Sequence, residues 1–361
     1  MSLLSAGFGL ARPVLHAMDA EQAHRLTIRM LSCLPRRPLP AAGPLQQELF
    51  GLRFPNPLGL APGFDKNAEV PDAMLSLGFG FVEIGTVTPR PQSGNPLPRL
   101  FRLSDDRAVI NRMGFNNDGA DRVMQRLEAR RGNRGIVGIN IGANKDSADR
   151  IADYSEGVRR FGPLASYLTI NISSPNTPGL RGLQSREELQ RLLAAVNEAR
   201  ASLARRPPML LKIAPDLGDD ELRDIAACCS GGTVDGVIVS NTTLSRPELK
   251  SSHRGEAGGL SGAPLFALST RQLAKFYQMT GGQLPLIGVG GVHDVDTALA
   301  KLEAGARLIQ LYSALVYEGP SLVTSIAAGL AQRLAGRSLT DVIGSRAGEI
   351  VEGKPILNRR G

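Results

Sequence analysis

Amide, hydroxyl and lysine side chains recur in this sequence directly after short runs of Val, Ile and Leu, and together they could bind a flat, anionic, hydrogen-bonding ligand. They occupy positions 61–66, 85–86, 140, 171–177, 212, 240–242, 288–291 and 312–313. Asn side chains can satisfy both the donors and the acceptors of a heterocycle. These positions hold no His, no Cys and no cluster of carboxylates, so we expect no metal site and no paired-carboxylate hydrolase.

Two of these positions are lysines, Lys66 and Lys212. Because Lys is rarely buried without an anionic partner, both are candidates to face a negatively charged cofactor or substrate. The alternative is that they form structural salt bridges with carboxylates such as Asp65 or Asp216.

Eight apolar runs would have to position these side chains. They span residues 57–61, 80–87, 135–141, 167–172, 209–213, 236–240, 284–289 and 308–312. Most lack strict alternation, which is typical of parallel strands covered on both faces. Helical patterns lie between them, with Ser185, Asp219 and Asp294 as candidate capping or opening residues. The alternation predicts an α/β fold, a (β/α)8 TIM barrel with sites at the strands' C-terminal ends; an open doubly wound sheet is the alternative.

Glycine-rich and hydroxyl-bearing loops follow the last two runs. Gly290 and Gly291 follow the seventh, and Tyr312 and Ser313 follow the eighth. Barrels often bind phosphate in these two loops, and Gly lets backbone N–H groups approach the oxygens closely. We therefore expect a phosphate site here, although the glycines could also serve only to make tight turns.

The N-terminal region predicts a helical extension over residues 1–40. Pro13 is expected to end or kink a first helix, and Asp19 to cap a second. The apolar stripe of the first helix comprises Leu4, Phe8, Ala11 and Leu15, widened by Leu3 and Leu10. The apolar face of the second comprises Ala23, Leu26, Thr27, Met30, Leu31 and Leu34. Five Arg against two carboxylates give this stretch a charge of +3. Such a pair can dock on a barrel or lie on a membrane surface, and docking is the commoner case by pattern alone.

Composition narrows the function classes. The formal net charge is +8, but the basic residues are scattered and Trp is absent, so we expect no nucleic-acid partner. Three cysteines without metal or disulfide spacing indicate a reducing compartment. No apolar run has transmembrane length and no secretory signal is recognisable. The tail over 336–361 has no assigned function.

Two long motifs resemble the signatures of dihydroorotate dehydrogenases. They are NRMGFNN at 111–117 and NISSPNTPGLR at 171–181. Further segments match the same family in the same order, at 83–90, 212–217, 240–243 and 258–262. The resemblance extends from about residue 19 to about residue 334 and is specific because several long motifs agree.

This resemblance implies an enzyme that oxidises dihydroorotate to orotate in pyrimidine biosynthesis with FMN as cofactor. The residues implied to hold the pyrimidine are Lys66, Asn111, Arg112, Met113, Gly114, Phe115, Asn171, Asn176, Asn241 and Thr242. The residues implied to contact FMN are Ala61, Gly63, Lys66, Thr86, Asn140, Asn171, Lys212, Ser240, Gly262, Gly291, Tyr312 and Ser313. Two positions depart from the family pattern: Pro62 stands where Ala is common, and Ser240 where Thr is frequent.

Ser174 stands where the quinone-linked class of this family carries its catalytic base, so the resemblance implies that Ser174 removes a proton from C5 of the substrate. Thr177 and an ordered water beside Phe115 are implied as the proton relay. By its position alone, Ser174 could instead be a turn hydroxyl that caps backbone after the strand.

The quinone-linked class also carries an N-terminal helical segment that forms a tunnel to the flavin and rests on the membrane. The segment AEQAHR at 20–25 resembles its second helix. His24 and Arg102 match polar residues of the quinone site, and Tyr312 is expected nearby; the alternative for His24 is an exposed helix residue. We therefore expect a peripheral protein on the cytoplasmic side of the inner membrane, with a membrane quinone as electron acceptor.

These expectations divide the chain into a quinone-tunnel segment at 1–40, an FMN-binding barrel at 41–335 and a C-terminal tail at 336–361. Three competing functions remain at this level. They are a flavoenzyme with a soluble acceptor such as fumarate or NAD, a phosphate-binding barrel without redox chemistry, and a membrane-bound scaffold with an inactive site.

Overall fold

The computed structural model describes residues 3–35, 39 and 43–357, and the side chains from residue 7 onward within that range. The strands in chain order are β1 (Gln47–Leu49), β2 (Leu52–Phe54), β3 (Leu58–Leu60), β4 (Phe81–Val87), β5 (Leu100–Leu103), β6 (Ala108–Asn111), β7 (Ile136–Ile141), β8 (Tyr167–Asn171), β9 (Met209–Ile213), β10 (Gly236–Val239), β11 (Gly259–Gly262), β12 (Leu286–Val289) and β13 (Ala306–Leu311). The helices are α1 (Leu3–Ala17), α2 (Ala20–Ser32), α3 (Pro71–Ser76), α4 (Gly119–Ala129), α5 (Arg150–Phe161), α6 (Arg186–Ala201), α7 (Asp219–Cys229), α8 (Phe266–Met279), α9 (Val295–Glu303), α10 (Ser313–Glu318), α11 (Leu322–Leu334), α12 (Leu339–Val342) and α13 (Ala347–Val351).

Eight parallel strands close into a barrel in the order β3, β4, β7, β8, β9, β10, β12, β13 and back to β3. Every residue of these strands except Arg307 is buried. Helices on the outside and side chains inside bury both faces, which explains the apolar runs without alternation. The eight predicted strands and the TIM barrel are confirmed, and the open sheet is wrong.

The outer helices begin largely where the sequence predicts. Asp294 caps α9 by accepting a hydrogen bond from the Thr297 N–H at 2.8 Å. Helix α7 begins at Asp219 as expected. Ser185 precedes α6, but its side chain makes no capping hydrogen bond.

A β-hairpin of β1 and β2 covers the N-terminal end of the barrel. Leu49, Phe50 and Leu52 pack against a cluster of buried barrel residues that includes Phe81 and Tyr167. Phe50 lies in the turn with a φ of 57°. The hairpin therefore plugs the end of the barrel opposite the strands' C-terminal ends.

A three-stranded antiparallel sheet in the order β11-β6-β5 lies outside the barrel. Asn111, at the end of β6, pairs with Leu100 on one side and Gly259 on the other. This sheet was not predicted, and it fixes the start of the 111–117 motif.

The N-terminal helices α1 and α2 are docked on the barrel. Helix α1 continues through Pro13 to Ala17, so Pro13 does not end it. His16 Nε2 lies 2.9 Å from the Val316 carbonyl oxygen, and Phe8 packs on Gly319 so closely that a Cβ there would meet its ring. Leu10 lies on the opposite, exposed face rather than in the stripe with Phe8 and Leu15. Leu3 and Leu4 fall outside the described side chains.

Asp19 caps α2 as predicted, accepting hydrogen bonds from the N–H groups of Glu21 and Gln22 at 3.0 Å. Among the described residues, no helix has the length and apolar character needed to span a bilayer.

The described part of the tail contains two short helices, α12 and α13, and Arg346 anchors it. The Arg346 guanidinium pairs with Glu303 at 3.2 Å and donates to the Ile356 carbonyl oxygen at 2.8 Å. The tail up to residue 357 therefore packs against the barrel helices; residues 358–361 lie outside the described range.

Candidate functional site

A cavity of about 540 Å³ opens at the C-terminal end of the barrel and is lined jointly by barrel loops and by α1 and α2. It brings together most of the predicted site residues. Those lining it are His24, Ala61, Gly63, Lys66, Thr86, Arg102, Asn111, Met113, Gly114, Phe115, Asn171, Ser174, Asn176, Lys212, Ser240, Asn241, Thr242, Gly262, Gly291, Tyr312 and Ser313. Three predicted residues, Arg112, Asn140 and Thr177, do not line it.

Asn140 lies behind the cavity wall and orients two residues that reach it. Its Oδ1 accepts hydrogen bonds from Thr86 Oγ1 at 2.6 Å and from Asn171 Nδ2 at 3.0 Å. Its Nδ2 donates to Glu83 Oε1 at 2.7 Å. These hydrogen bonds fix the Asn140 side chain and join it to Thr86 and Asn171, which line the cavity.

Glu83 is a fully buried carboxylate beneath this group, and sequence reasoning did not single it out. Its Oε2 accepts hydrogen bonds from Tyr167 at 2.9 Å and from Gln310 at 2.7 Å. Burial lowers the pKa of Lys212, and the negative charge of Glu83 opposes this shift. The negative charge of Glu83 therefore favours the charged form of Lys212 at the cavity wall.

Within the described part of the chain, neither lysine forms the structural salt bridge considered as an alternative. Asp65 accepts hydrogen bonds from the backbone N–H groups of residues 67, 69 and 70 instead, and Asp216 pairs with Arg181 at 2.9 Å. Lys66 Nζ donates to the Gly63 carbonyl oxygen at 2.8 Å. Burial lowers the pKa of Lys66 to about 8, because removal from water disfavours the charged ammonium.

Ser174 lines the cavity and is buried. Its Oγ also accepts a hydrogen bond from the Asn176 N–H at 3.2 Å, so it has the turn-capping contact considered as the alternative as well as access to the cavity. Thr177 is buried close by in sequence, and its Oγ1 has no hydrogen-bond partner within the described part of the chain. A buried hydroxyl without a partner can accept or donate to a water or ligand.

Two amide side chains that do not line the cavity hold the loop at 111–117: Asn117, which belongs to the motif, and Gln92, which the sequence did not single out. Gln92 Nε2 donates to the carbonyl oxygens of Gly114 and Phe115 at 3.0 and 3.2 Å. Asn117 Nδ2 also donates to the Phe115 carbonyl oxygen, at 2.7 Å. These contacts hold Phe115 in the left-handed region, with a φ of 55°, and direct its ring to the cavity.

The remaining predicted asparagines make hydrogen bonds within the cavity wall. Asn176 Nδ2 lies 3.4 Å from Asn111 Oδ1, and Asn241 Nδ2 donates to Ser173 Oγ at 2.9 Å. Arg112, in contrast, points away: it pairs with Glu256 at 2.7 Å and lies 4.6 Å from the centre of the Phe101 ring. The side chain of Arg112 therefore supports the loop from the outer side.

Three rings that line the cavity, those of His24, Phe64 and Tyr312, form an aromatic cluster. The His24 ring meets Phe64 edge-on at 5.3 Å between centroids and lies 6.3 Å from Tyr312, and Phe64 meets Tyr312 edge-on at 5.5 Å. Burial lowers the pKa of His24 to about 3, with the charges of Lys66 and Arg25 adding to the shift. His24 is thus a neutral cavity residue and not an exposed helix residue.

Arg102 lies at the other side of the helical part and closes the C-terminal end of α1. Its guanidinium donates to the carbonyl oxygens of Leu15 at 2.8 Å and His16 at 3.2 Å, and also to that of Met18. The last carbonyls of a helix lack intrahelical donors, so Arg102 satisfies them while its stem lines the cavity.

Comparison with known proteins agrees with this arrangement. The family model described as dihydroorotate dehydrogenase matches residues 44–334. A Parvibaculum lavamentivorans protein named dihydroorotate dehydrogenase (quinone) is 58% identical over 94% of this chain and 98% of its own length. A Novosphingobium aromaticivorans protein of the same name is 57% identical over 93% of this chain and 97% of its own. The ligand-free dihydroorotate dehydrogenase of Eimeria tenella superposes with a TM-score of 0.86 at 41% identity, over 93% of this chain and all of that one. This chain therefore belongs to the dihydroorotate dehydrogenase family.

Proposed function

We propose that this protein oxidises dihydroorotate to orotate in pyrimidine biosynthesis, with FMN as its cofactor, Ser174 as its catalytic base and a membrane quinone as its electron acceptor. One observation carries the proposal: a single cavity has the amides and Ser174 at one end and the two N-terminal helices at the other. The first end suits a planar anionic pyrimidine, and the second suits an apolar acceptor.

The donor set of the cavity fits a flavin mononucleotide. Lys212 and Asn171 are donors at the wall, and Ser240 and Thr86 carry hydroxyls there. The glycines near the end of the cavity suit a phosphate, since Gly262 and Gly291 have φ values of 94° and 77° that few other residues tolerate. The proposed FMN contacts are Ala61, Gly63, Lys66, Thr86, Asn171, Lys212, Ser240, Gly262, Gly291, Tyr312 and Ser313, with Asn140 acting through Thr86 and Asn171.

In the proposed reaction, Ser174 Oγ takes the proton from C5 of dihydroorotate as the C5–C6 double bond forms. When bound, FMN supplies the acceptor for the hydride that leaves C6. The Asn176 N–H that already donates to Ser174 Oγ stabilises negative charge developing on this oxygen. A serine hydroxyl is a weak base, so its own proton must be handed on, and the unpartnered Thr177 Oγ1 supports a relay through Thr177 and water beside Phe115.

Substrate binding is proposed for Lys66, Asn111, Asn171, Asn176, Asn241 and Thr242, with Met113, Gly114 and Phe115 forming one wall and Arg112 supporting it. Lys66, a cation in the cavity lining, is proposed to pair with the substrate carboxylate. Because burial has lowered its pKa to about 8, an anion beside it would raise that pKa and keep it charged at neutral pH.

The quinone end is proposed to lie between α1 and α2, with His24, Arg102 and Tyr312 at its inner limit. Leu10 and Val14 of α1 are 83% and 64% exposed, and Met30 of α2 is 53% exposed. Arg29 lies exposed on the same helix as Met30. Apolar side chains bordered by cations match the surface of an anionic membrane, and we infer peripheral contact at the cytoplasmic side of the inner membrane.

The first test is an anaerobic absorbance spectrum of the purified protein before and after dihydroorotate is added. The proposal expects a flavin spectrum that bleaches and then recovers when a ubiquinone analogue is added. Recovery with fumarate or NAD alone would support dihydroorotate as the substrate but overturn the quinone as the electron acceptor. A flavin that dihydroorotate does not bleach, or a purified protein without flavin, would overturn the proposed reaction.

A further inference from the structure

Lys301 on α9 is a fully buried lysine that the proposed reaction does not use. Its Nζ donates to Ser269 Oγ at 2.7 Å and lies 3.4 Å from the Val289 carbonyl oxygen. It lies 5.5 Å from the centre of the Phe266 ring. No carboxylate of the described residues forms an ion pair with it. A buried ammonium with only neutral partners is costly, so a nearby anion would stabilise the charged form of Lys301.

The contacts of Lys301 converge on one turn of the cavity. Val289 is the last residue of β12, and Gly290 and Gly291, which line the cavity, follow it. Ser269 Oγ, which accepts from Lys301, also lies 3.0 Å from the Gly290 carbonyl oxygen. The Lys301 ammonium therefore reaches the turn at two points: directly at the Val289 carbonyl oxygen and, through Ser269, at the Gly290 carbonyl oxygen. Lys301 itself does not line the cavity.

The same turn is pressed against the start of α8. A Cβ added to Gly291 would lie 2.4 Å from Cβ of Phe266, the first residue of that helix. A 14-residue helix carries partial positive charge at its N-terminus. The helix end, the glycine amides and the buried ammonium thus add positive potential at one end of the cavity.

We propose that Lys301 is the buried counter-charge of the phosphate end of the flavin site, and that it makes the protein select phosphorylated flavin over riboflavin. The inference rests on the proposed FMN function. Lys301 acts without touching the ligand: it pins the Gly290–Gly291 turn from behind and contributes a unit of charge in a medium of low dielectric. Burial lowers the pKa of Lys301 well below its ordinary value, and a nearby phosphate dianion would restore the charged form.

The experiment compares FMN and riboflavin binding to flavin-stripped, full-length protein by quenching of flavin fluorescence. Lys301→Met should weaken FMN binding by about tenfold or more, because one charge is lost from the phosphate site, and should change riboflavin binding by less than about twofold. Lys354→Met is the matched control, since Lys354 lies in the tail with its side chain 55% exposed; it should leave both affinities unchanged.

A purely structural role predicts something different. If Lys301→Met weakened FMN and riboflavin by the same factor, or weakened neither, the inference would be wrong. If this variant does not fold, Lys301→Gln decides, because it keeps a side-chain donor for Ser269 and removes the charge: a reduced FMN-to-riboflavin preference supports the proposal and an unchanged preference overturns it. Wild-type protein that binds neither flavin would instead overturn the proposed function itself.

Discussion

The ion pair between Glu21 and Arg99 joins α2 to the barrel, and breaking it should uncouple the two halves of the proposed reaction. Arg99 Nη2 and Nε donate to the two carboxylate oxygens of Glu21 at 2.8 and 2.9 Å. The two side chains are 10% and 14% exposed. Arg99 also donates to the carbonyl oxygens of Ser93 and Asn95, so it stays in place when Glu21 is changed.

The expected magnitude follows from this geometry. Glu21→Gln keeps the shape and one acceptor but removes the charge and one of two charge-assisted hydrogen bonds, a loss of about 2 kcal/mol for a largely buried pair. That corresponds to about 30-fold in the equilibrium between docked and undocked α2. The hydrogen bond from Arg99 lowers the pKa of Glu21. Its contribution is therefore present above the ordinary carboxyl pKa and is lost as pH falls through the folded value.

The assay separates the two half-reactions by stopped-flow spectroscopy. Glu21→Gln should slow flavin oxidation by a ubiquinone analogue severalfold and leave flavin reduction by dihydroorotate unchanged. Trypsin should also cut faster at Arg25 and Arg29, which are exposed on α2. The matched control is Glu48→Gln, because Glu48 pairs with Arg53 at 3.8 Å with both side chains mostly exposed; such pairs contribute about 0–1 kcal/mol. Equal quinone rates and equal proteolysis in Glu21→Gln and wild type would refute the reasoning.

Three further changes test other parts of the site. Ser174→Ala should retain flavin and orotate binding but slow flavin reduction by about 10²- to 10⁴-fold, and a normal reduction rate would remove Ser174 as the base. Glu83→Gln should cost about 3 kcal/mol of unfolding free energy in urea titrations, because the hydrogen bonds from Tyr167 and Gln310 are disrupted and Lys212 loses a nearby negative charge; adding Lys212→Met should recover part of it, and no recovery would refute the electrostatic link to Lys212. His24 has a folded pKa of about 3, so below its ordinary pKa the unfolded chain binds a proton that the folded chain does not. Acidification from pH 6.5 to 5 should therefore destabilise wild type by up to about 2 kcal/mol more than His24→Asn, and parallel stability curves would contradict this.

The barrel could be predicted from sequence because each of its strands carries its own signal. The run at 135–141 is apolar without alternation, and the strand β7 occupies almost the same residues. The antiparallel sheet could not be predicted in this way. Its strands β6 and β11 lie about 150 residues apart in the chain, and pairing between such distant segments leaves no local periodicity.

The plugging hairpin was missed for a different reason. Two-residue hairpin turns are usually recognised in a sequence by Asn-Gly or Asp-Gly, because both central residues need positive φ. Here Phe50 and Gly51 occupy the turn with φ values of 57° and 69°. Burial of the Phe50 ring under the barrel supports a backbone conformation that its residue type does not favour.

In the candidate site, too, residues with a local sequence signal could be predicted and residues that depend on distant partners could not. Residues at strand ends, such as Thr86 and Lys212, could be assigned to the cavity because the barrel fold dictates where strand ends meet. The residues behind them could not. Glu83 and Gln310 lie within apolar strands, and their shared hydrogen bond joins positions 227 residues apart in the chain. The orientation of Arg112 likewise depends on Glu256, a partner from a distant loop.

The hairpin of β1 and β2 closes the N-terminal end of the barrel and leaves the end at the strands' C-termini open. With its base closed by Phe50 and its neighbours, pyrimidine, electron acceptor and released proton must all pass through the opposite rim. Under the proposed function, a water-soluble acid and a lipid-soluble oxidant therefore enter the same end of the barrel, and the rings of His24, Phe64 and Tyr312 line the cavity that receives both.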